Sequence, residues 1–144
     1  MNNTSKIKIF LVDDDALFLK DLEIQFLDQG DFSVETYATG ELCIQNLINN
    51  PDVIILDYIL NGINQKAING IDTLDEIKKV NPNIPVIILS GQDKIDIAIN
   101  CMHHKAFDYV VKSETAFLRL IKVISTVSTL NKMEKIVNWY MERS

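Results

Sequence analysis

No apolar run in the 144 residues is long enough to cross a membrane, and no signal-peptide pattern opens the chain, so a cytoplasmic setting is expected. There are only two cysteines, Cys43 and Cys101, each inside an apolar, helical-looking segment. That excludes a disulfide framework and reads both thiols as small core residues in a reducing compartment. With five glycines and three prolines there is no Gly/Ser linker, and no repeat or low-complexity tract divides the chain. One globular domain is expected, burying roughly 70% of its unfolded surface. A basic excess is missing as well. The net charge is −6, with 8 basic and 17 acidic residues up to Val111 and 6 basic and 3 acidic from Lys112 to Ser144. An acidic body with scattered tail cations makes no patch for nucleic acid. A P-loop is absent too.

What is present alternates. Short β-rich runs stand at 7–12 (IKIFLV), 32–37 (FSVETY), 52–57 (DVIILD), 85–90 (PVIILS) and 107–112 (FDYVVK). Helical patterns separate them. Leu17, Leu22, Phe26 and Leu27 mark the first; Leu42, Ile44, Leu47 and Ile48 mark the second, after a cap at Thr39. Residues 71–80, 93–104 and 115 onward give three more. The order is (βα)5, and runs one, three and four are almost wholly apolar, as in a parallel sheet covered by helices on both faces. The irregular stretch NGINQKAING, residues 61–70, reads as an extended surface loop.

In such a sheet, ligands bind at the carboxyl ends of the strands. There the first strand delivers Asp13 and Asp14, the third Asp57, the fourth Ser90 and the fifth Lys112. Crowded carboxylates suit a hard divalent cation such as Mg2+, which takes oxygen ligands and relieves their repulsion. Asp57, set among apolar neighbours near a cation and a lysine, is placed to attack phosphorus and form an aspartyl-phosphate. Mg2+ and Lys112 would neutralise the charge on the phosphoryl oxygens. Asp15 reads as a helix cap. His103 and His104, adjacent on a helix, project in different directions and make a poor metal pair.

The motifs LVDDD, VIILDY, PVIILSG and FDYVVK resemble the signature of two-component response regulator receiver domains, of the chemotaxis response regulator type, over residues 6–124. The resemblance implies a flavodoxin-like doubly wound parallel sheet in the order 2-1-3-4-5. By position it implies Asp57 as phospho-acceptor, with Asp13, Asp14 and Asp57 joined by the backbone carbonyl of Ile59 as ligands of Mg2+. It further implies Ser90 as switch hydroxyl, Tyr109 as switch aromatic and Lys112 as the phosphate-binding lysine. The implied partners are a sensor histidine kinase or phosphotransfer protein and a downstream protein or output domain, with no direct nucleic acid and no membrane. Two departures stand out. Ser113 follows Lys112 where the family has a proline, commonly in a cis peptide, a form that costs ~3 kcal/mol at other residues. The loop after Asp57 is about five residues longer than usual in the family, so access to Asp57 is expected to differ.

Two other functions fit parts of the pattern. Asp13-x-Asp15 with Ser90 and Lys112 mimics a haloacid-dehalogenase-like phosphatase, but no aspartate follows Asp108 to supply its last metal ligand. A receiver-like interaction module that works without phosphate accommodates Ser113 and the long loop. Residues 1–124 are expected as the receiver and 125–144 as an extension of its fifth helix. The stripe Val123, Val127, Leu130, Val137 and Met141, with Trp139 and Tyr140, continues beyond what the sheet can cover, and a helix over 115–141 would span ~40 Å. A homodimer through this helix, or a linker to an output domain, is expected, with a helix folded back on the domain as the alternative.

Overall fold

The computed structural model describes residues 6–144. Strands β1 (Ile7–Val12), β2 (Phe32–Tyr37), β3 (Val53–Asp57), β4 (Val86–Ser90) and β5 (Asp108–Val111) form one parallel sheet in the order β2-β1-β3-β4-β5. Between them run α1 (Ala16–Asp28), α2 (Gly40–Gln45), α3 (Gly70–Val80) and α4 (Ile95–His103), and α5 (Ala116–Arg143) follows β5. Strand periodicity splits the core in two. Ile9, Leu11, Val53, Ile55, Ile87, Leu89 and Val110 face one way, onto Leu22 and Phe26 of α1 and Leu120, Val123 and Ile124 of α5. Phe10, Val12, Ile54, Leu56, Val86 and Ile88 face the other way, onto Cys43, Leu74, Ile77 and Cys101 of α2, α3 and α4. Both cysteines are therefore buried core residues.

The helices depart in detail from the pattern expected. Only Leu22 and Phe26 of α1 are buried, while Leu17 and Leu27 are exposed. Each of those lies five residues from Leu22, about 140° around a helix, and so turns away from the sheet. Thr39 caps α2 as expected, its Oγ1 accepting the Leu42 N–H at 3.2 Å. That helix ends early, however, in a single 3-10 turn at Leu47–Asn49, which buries Leu47 and leaves Ile48 in solvent. Helix α4 spans 95–103 rather than 93–104, and after its cap His104 the chain turns left-handed at Lys105, φ 72°.

Residues 61–70 are not a loose excursion. Ala67 is buried, the Ile68 N–H donates to Glu41 Oε2 at 3.2 Å, and Asn69 caps α3 through the Asp72 N–H at 2.8 Å. Gly70 then passes close to the end of β3, its N–H donating to the Tyr58 carbonyl at 3.0 Å. A Cβ at Gly70 would stand 2.5 Å from the carbonyl oxygens of both Asp57 and Tyr58. Gly70→Ala must push the end of β3 aside and is expected to cost on the order of 2 kcal/mol, measured as a lowered urea midpoint. An unchanged midpoint would mean that this approach is not constrained.

Helix α5 begins at Ala116 and continues to Arg143. Val127 is its last buried residue, and Leu130, Met133, Ile136, Val137, Tyr140 and Met141 are all exposed. The helix runs on past the sheet instead of folding back. No helix among the described residues is long and apolar enough to cross a membrane.

Candidate functional site

Strand register assembles the site. Val12 pairs with Leu56, so Asp13 leaves β1 level with Asp57 at the end of β3. Ser90 pairs with Val111, so Lys112 leaves β5 at the same rim. The side chains converge as this predicts. Asp13, Asp14 and Asp57 each offer an oxygen within 4.8 Å of the others. Lys112 Nζ lies 2.9 Å from Asp13 Oδ2 and 3.5 Å from Asp57 Oδ2. No peptide bond among the described residues is cis, and the Lys112–Ser113 link does not keep the lysine from the acids.

Asp13 and Asp57 are buried, while Asp14 is half-buried at the mouth. Burial pushes the Asp57 carboxyl up to about 7, and the neighbouring Asp13 charge adds to this while Lys112 pulls the other way. For Lys112, burial alone would favour the neutral amine. The hydrogen bond to Asp13 and the charges of Asp57 and Asp13 outweigh it, so the ammonium is held above its ordinary range. The site thus has two buried acids, one half-buried acid and one internal cation. This carboxylate set fits a hard divalent ion, which would supply the positive charge that a single lysine cannot.

Asp15 is occupied elsewhere. It caps α1, accepting the Phe18 N–H at 3.2 Å, while its own N–H donates to Asp13 Oδ1 at 2.9 Å. The Asp13-x-Asp15 arrangement of a dehalogenase-like phosphatase therefore does not form. Ile59 sits two residues past Asp57 and points its N–H at Asp57 Oδ1 over 3.5 Å.

On the β4–β5 side, buried Ser90 Oγ accepts the Gln92 N–H at 3.0 Å. It caps a tight turn rather than a helix, since α4 starts only at Ile95. The Tyr109 hydroxyl donates to the Gln92 carbonyl, so one residue ties the serine to the tyrosine. Burial raises the Tyr109 phenol above its usual range and keeps it a donor.

Other contributors were not singled out from the sequence. The Phe18 ring lies under Lys112 Nζ at 4.3 Å, a cation–π contact that helps hold the ammonium in place. The Gly62 and Ile63 N–H groups both donate to Asp14 Oδ2, at 3.1 and 3.2 Å. Away from the site, His104 pairs with Asp75 at 2.8 Å instead of with His103.

Comparison with known proteins agrees with this geometry. The response regulator receiver domain family model matches residues 9–125. A protein-glutamate methylesterase/protein-glutamine glutaminase of Clostridium acetobutylicum is 32% identical over 114 residues, covering 78% of this chain and 32% of that protein. A putative NtrX-like response regulator of Rickettsia felis is 32% identical over 109 residues, covering 75% of this chain and 22% of that one. This chain thus spans no more than about a third of either relative. Among solved structures, the signal receiver domain of a putative Luxo repressor protein from Vibrio parahaemolyticus superimposes with a TM-score of 0.77 at 25% identity, covering 92% of this chain and 97% of that one. NtrX from Brucella abortus gives a TM-score of 0.80 at 27% identity, covering 95% of this chain and 30% of that one. With strand order, acidic rim and family match in agreement, the chain belongs to the response regulator receiver domain family.

Proposed function

We propose that this chain is a phosphorylation-controlled switch in which residues 1–124 act as the receiver and Asp57 takes the phosphoryl group. The observation that carries this reading is the position of Asp57: buried, 3.5 Å from Lys112, and within 4.8 Å of Asp13 and Asp14. An Asp57 oxygen attacks the phosphorus of a kinase phosphohistidine, or of a small acyl phosphate. The P–N or P–O bond breaks, and histidine or the carboxylate leaves. Asp13, Asp14, Asp57 and the Ile59 carbonyl would hold Mg2+, which when bound neutralises the phosphoryl oxygens. Lys112, released from its pairing with Asp13, would take one of those oxygens.

The output follows from the Ser90–Gln92–Tyr109 link. A Ser90 side chain that swings toward a phosphoryl oxygen would move its Oγ away from the Gln92 N–H, which disturbs the residue that the Tyr109 hydroxyl holds. The surface around α4, β5 and α5 is thereby biased between two arrangements. The chain is then a signalling component of the cytoplasm rather than an enzyme. Its partners would be a histidine kinase or phosphotransfer protein on one side and a downstream protein or output domain on the other.

Acetyl phosphate tests this. The folded chain should gain one phosphoryl adduct by intact mass only when Mg2+ is present, and Asp57→Asn should gain none. Absence of an adduct with both acetyl phosphate and a phosphorylated histidine kinase would favour a receiver-like module that works without phosphate.

The 125–144 extension supports a second copy of this chain as one partner. Leu130, Met133, Val137 and Tyr140 are spaced 3-4-3 on a helix that leaves the sheet, as in a two-stranded coiled-coil seam. Light scattering should give a dimer mass that Leu130→Asp with Val137→Asp reduces to a monomer. A monomer mass in the parent chain at high concentration would rule this pairing out.

A further inference from the structure

Asp14 is the most solvent-accessible of the three clustered acids, and on its own a half-buried carboxylate at a rim would sample several rotamers. Here it does not stand alone. The chain after Asp57 turns back over the mouth so that two successive peptide N–H groups, from Gly62 and Ile63, converge on the same oxygen, Asp14 Oδ2. This leaves Oδ1 as the Asp14 oxygen without a hydrogen bond from a described residue, in a carboxylate that belongs to the acidic cluster. The remainder of the excursion is pinned at its far end by Glu41 and by the Asn69 cap. Ile63 is 77% exposed, so its position follows from the backbone contact and not from burial.

We infer that the loop 61–68 is a positioning clamp for Asp14. Its two amides hold Oδ2 and leave Oδ1 to the ion, so that loop closure and divalent-cation binding reinforce each other. The inference rests on the reading of Asp14 as a cation ligand. Bonds to a ligating carboxylate from outside the coordination shell orient it and tune its affinity, and their loss typically weakens metal binding about 10- to 100-fold. Coupling is reciprocal: if the clamp favours the ion, the ion must favour the clamp. The amides are positioning groups and touch neither ion nor phosphoryl group. If the ion instead needed Oδ2, it would have to break both bonds and open the loop.

The direction of this coupling can be read without activity. In the full chain, saturating Mg2+ is expected to slow amide exchange at Gly62 and Ile63, and tryptic cleavage after Lys66, by about tenfold. Asp14→Ala without metal is expected to speed that same cleavage. Ile63→Pro, which removes one clamping N–H, should bind Mg2+ about tenfold more weakly by calorimetry, and Ile63→Ala, which keeps the N–H, should restore the affinity. The melting temperature of each variant checks that it is folded. Mg2+ binding with faster or unchanged exchange at both amides would overturn the clamp while leaving the cation site standing. No Mg2+ binding to the parent chain would overturn both.

Discussion

Lys112→Ala is expected to slow phosphoryl transfer to Asp57 by about 10²- to 10³-fold, the usual loss when one preorganised charge donor is removed from a reacting oxyanion, and at the same time to tighten Mg2+ binding. The two effects have opposite signs because the lysine does two things. It sits 2.9 Å from Asp13 and 3.5 Å from Asp57, so without metal it competes with the cation for the same carboxylates. Remove it, and three acids are left to hold one ion, with stronger attraction and no competitor. Once phosphoryl oxygens enter, however, the lost ammonium is a lost counter-charge. Stopped-time mass spectrometry gives the rate and calorimetry gives the affinity. A slower rate with weaker Mg2+ binding would mean that Lys112 mainly holds the acids in place, and a rate within twofold of the parent would remove it from the chemistry.

Asp57→Asn, in Mg2+-free buffer near pH 8, is expected to raise the melting temperature. The folded-state carboxyl is pushed up to about 7 from the ordinary 3.8, chiefly by burial and then by Asp13. Between those values the native state binds more protons than the unfolded state, so stability falls as pH rises. The penalty is absent below about pH 4 and fully present above about pH 7. It amounts to on the order of 3 kcal/mol for a group this buried, or roughly 10 °C in a domain of this size. The amide carries no charge and escapes the penalty. Melting curves of the two proteins across pH 4 to 8 should therefore converge at the acid end and separate at the alkaline end. Saturating Mg2+ should restore much of the parent's loss by binding only the folded state. Curves that stay parallel, or an Asn variant that is less stable at pH 8, would show that the charge on Asp57 is already well compensated.

That a five-stranded parallel sheet could be read in the sequence follows from the physics of buried parallel strands, whereas its order 2-1-3-4-5 was implied only by the resemblance to receiver domains. IKIFLV, VIIL and VIIL are apolar on both faces because helices cover both, and the polar residue ending each run must then fall on one rim. Asp13, Asp57, Ser90 and Lys112 are legible for that reason. Side-chain direction on helices was less so. Leu17, Leu27 and Ile48 are apolar but face solvent, because helix phase and the early end of α2 are set by tertiary packing that periodicity cannot supply. Phe18 could have been weighed from its place three residues past the Asp15 cap, but its approach to Lys112 joins elements nearly a hundred residues apart. The amides of Gly62 and Ile63 leave no side-chain signal at all, since any residue but proline carries that N–H. What could be read was an irregular stretch directly after the strand that ends in Asp57. The Gln92 bridge is hidden for the same reason, as Gln92 itself contributes only its backbone N–H and carbonyl.

The most direct test of the account is to locate the phosphoryl group. The folded chain is labelled with acetyl phosphate and Mg2+, reduced with borohydride, which converts an aspartyl-phosphate to homoserine, and mapped by peptide mass. Homoserine in place of Asp57 and nowhere else is the predicted result. Conversion at Asp13 or Asp14, or a stable adduct with Asp57 left intact, would contradict it.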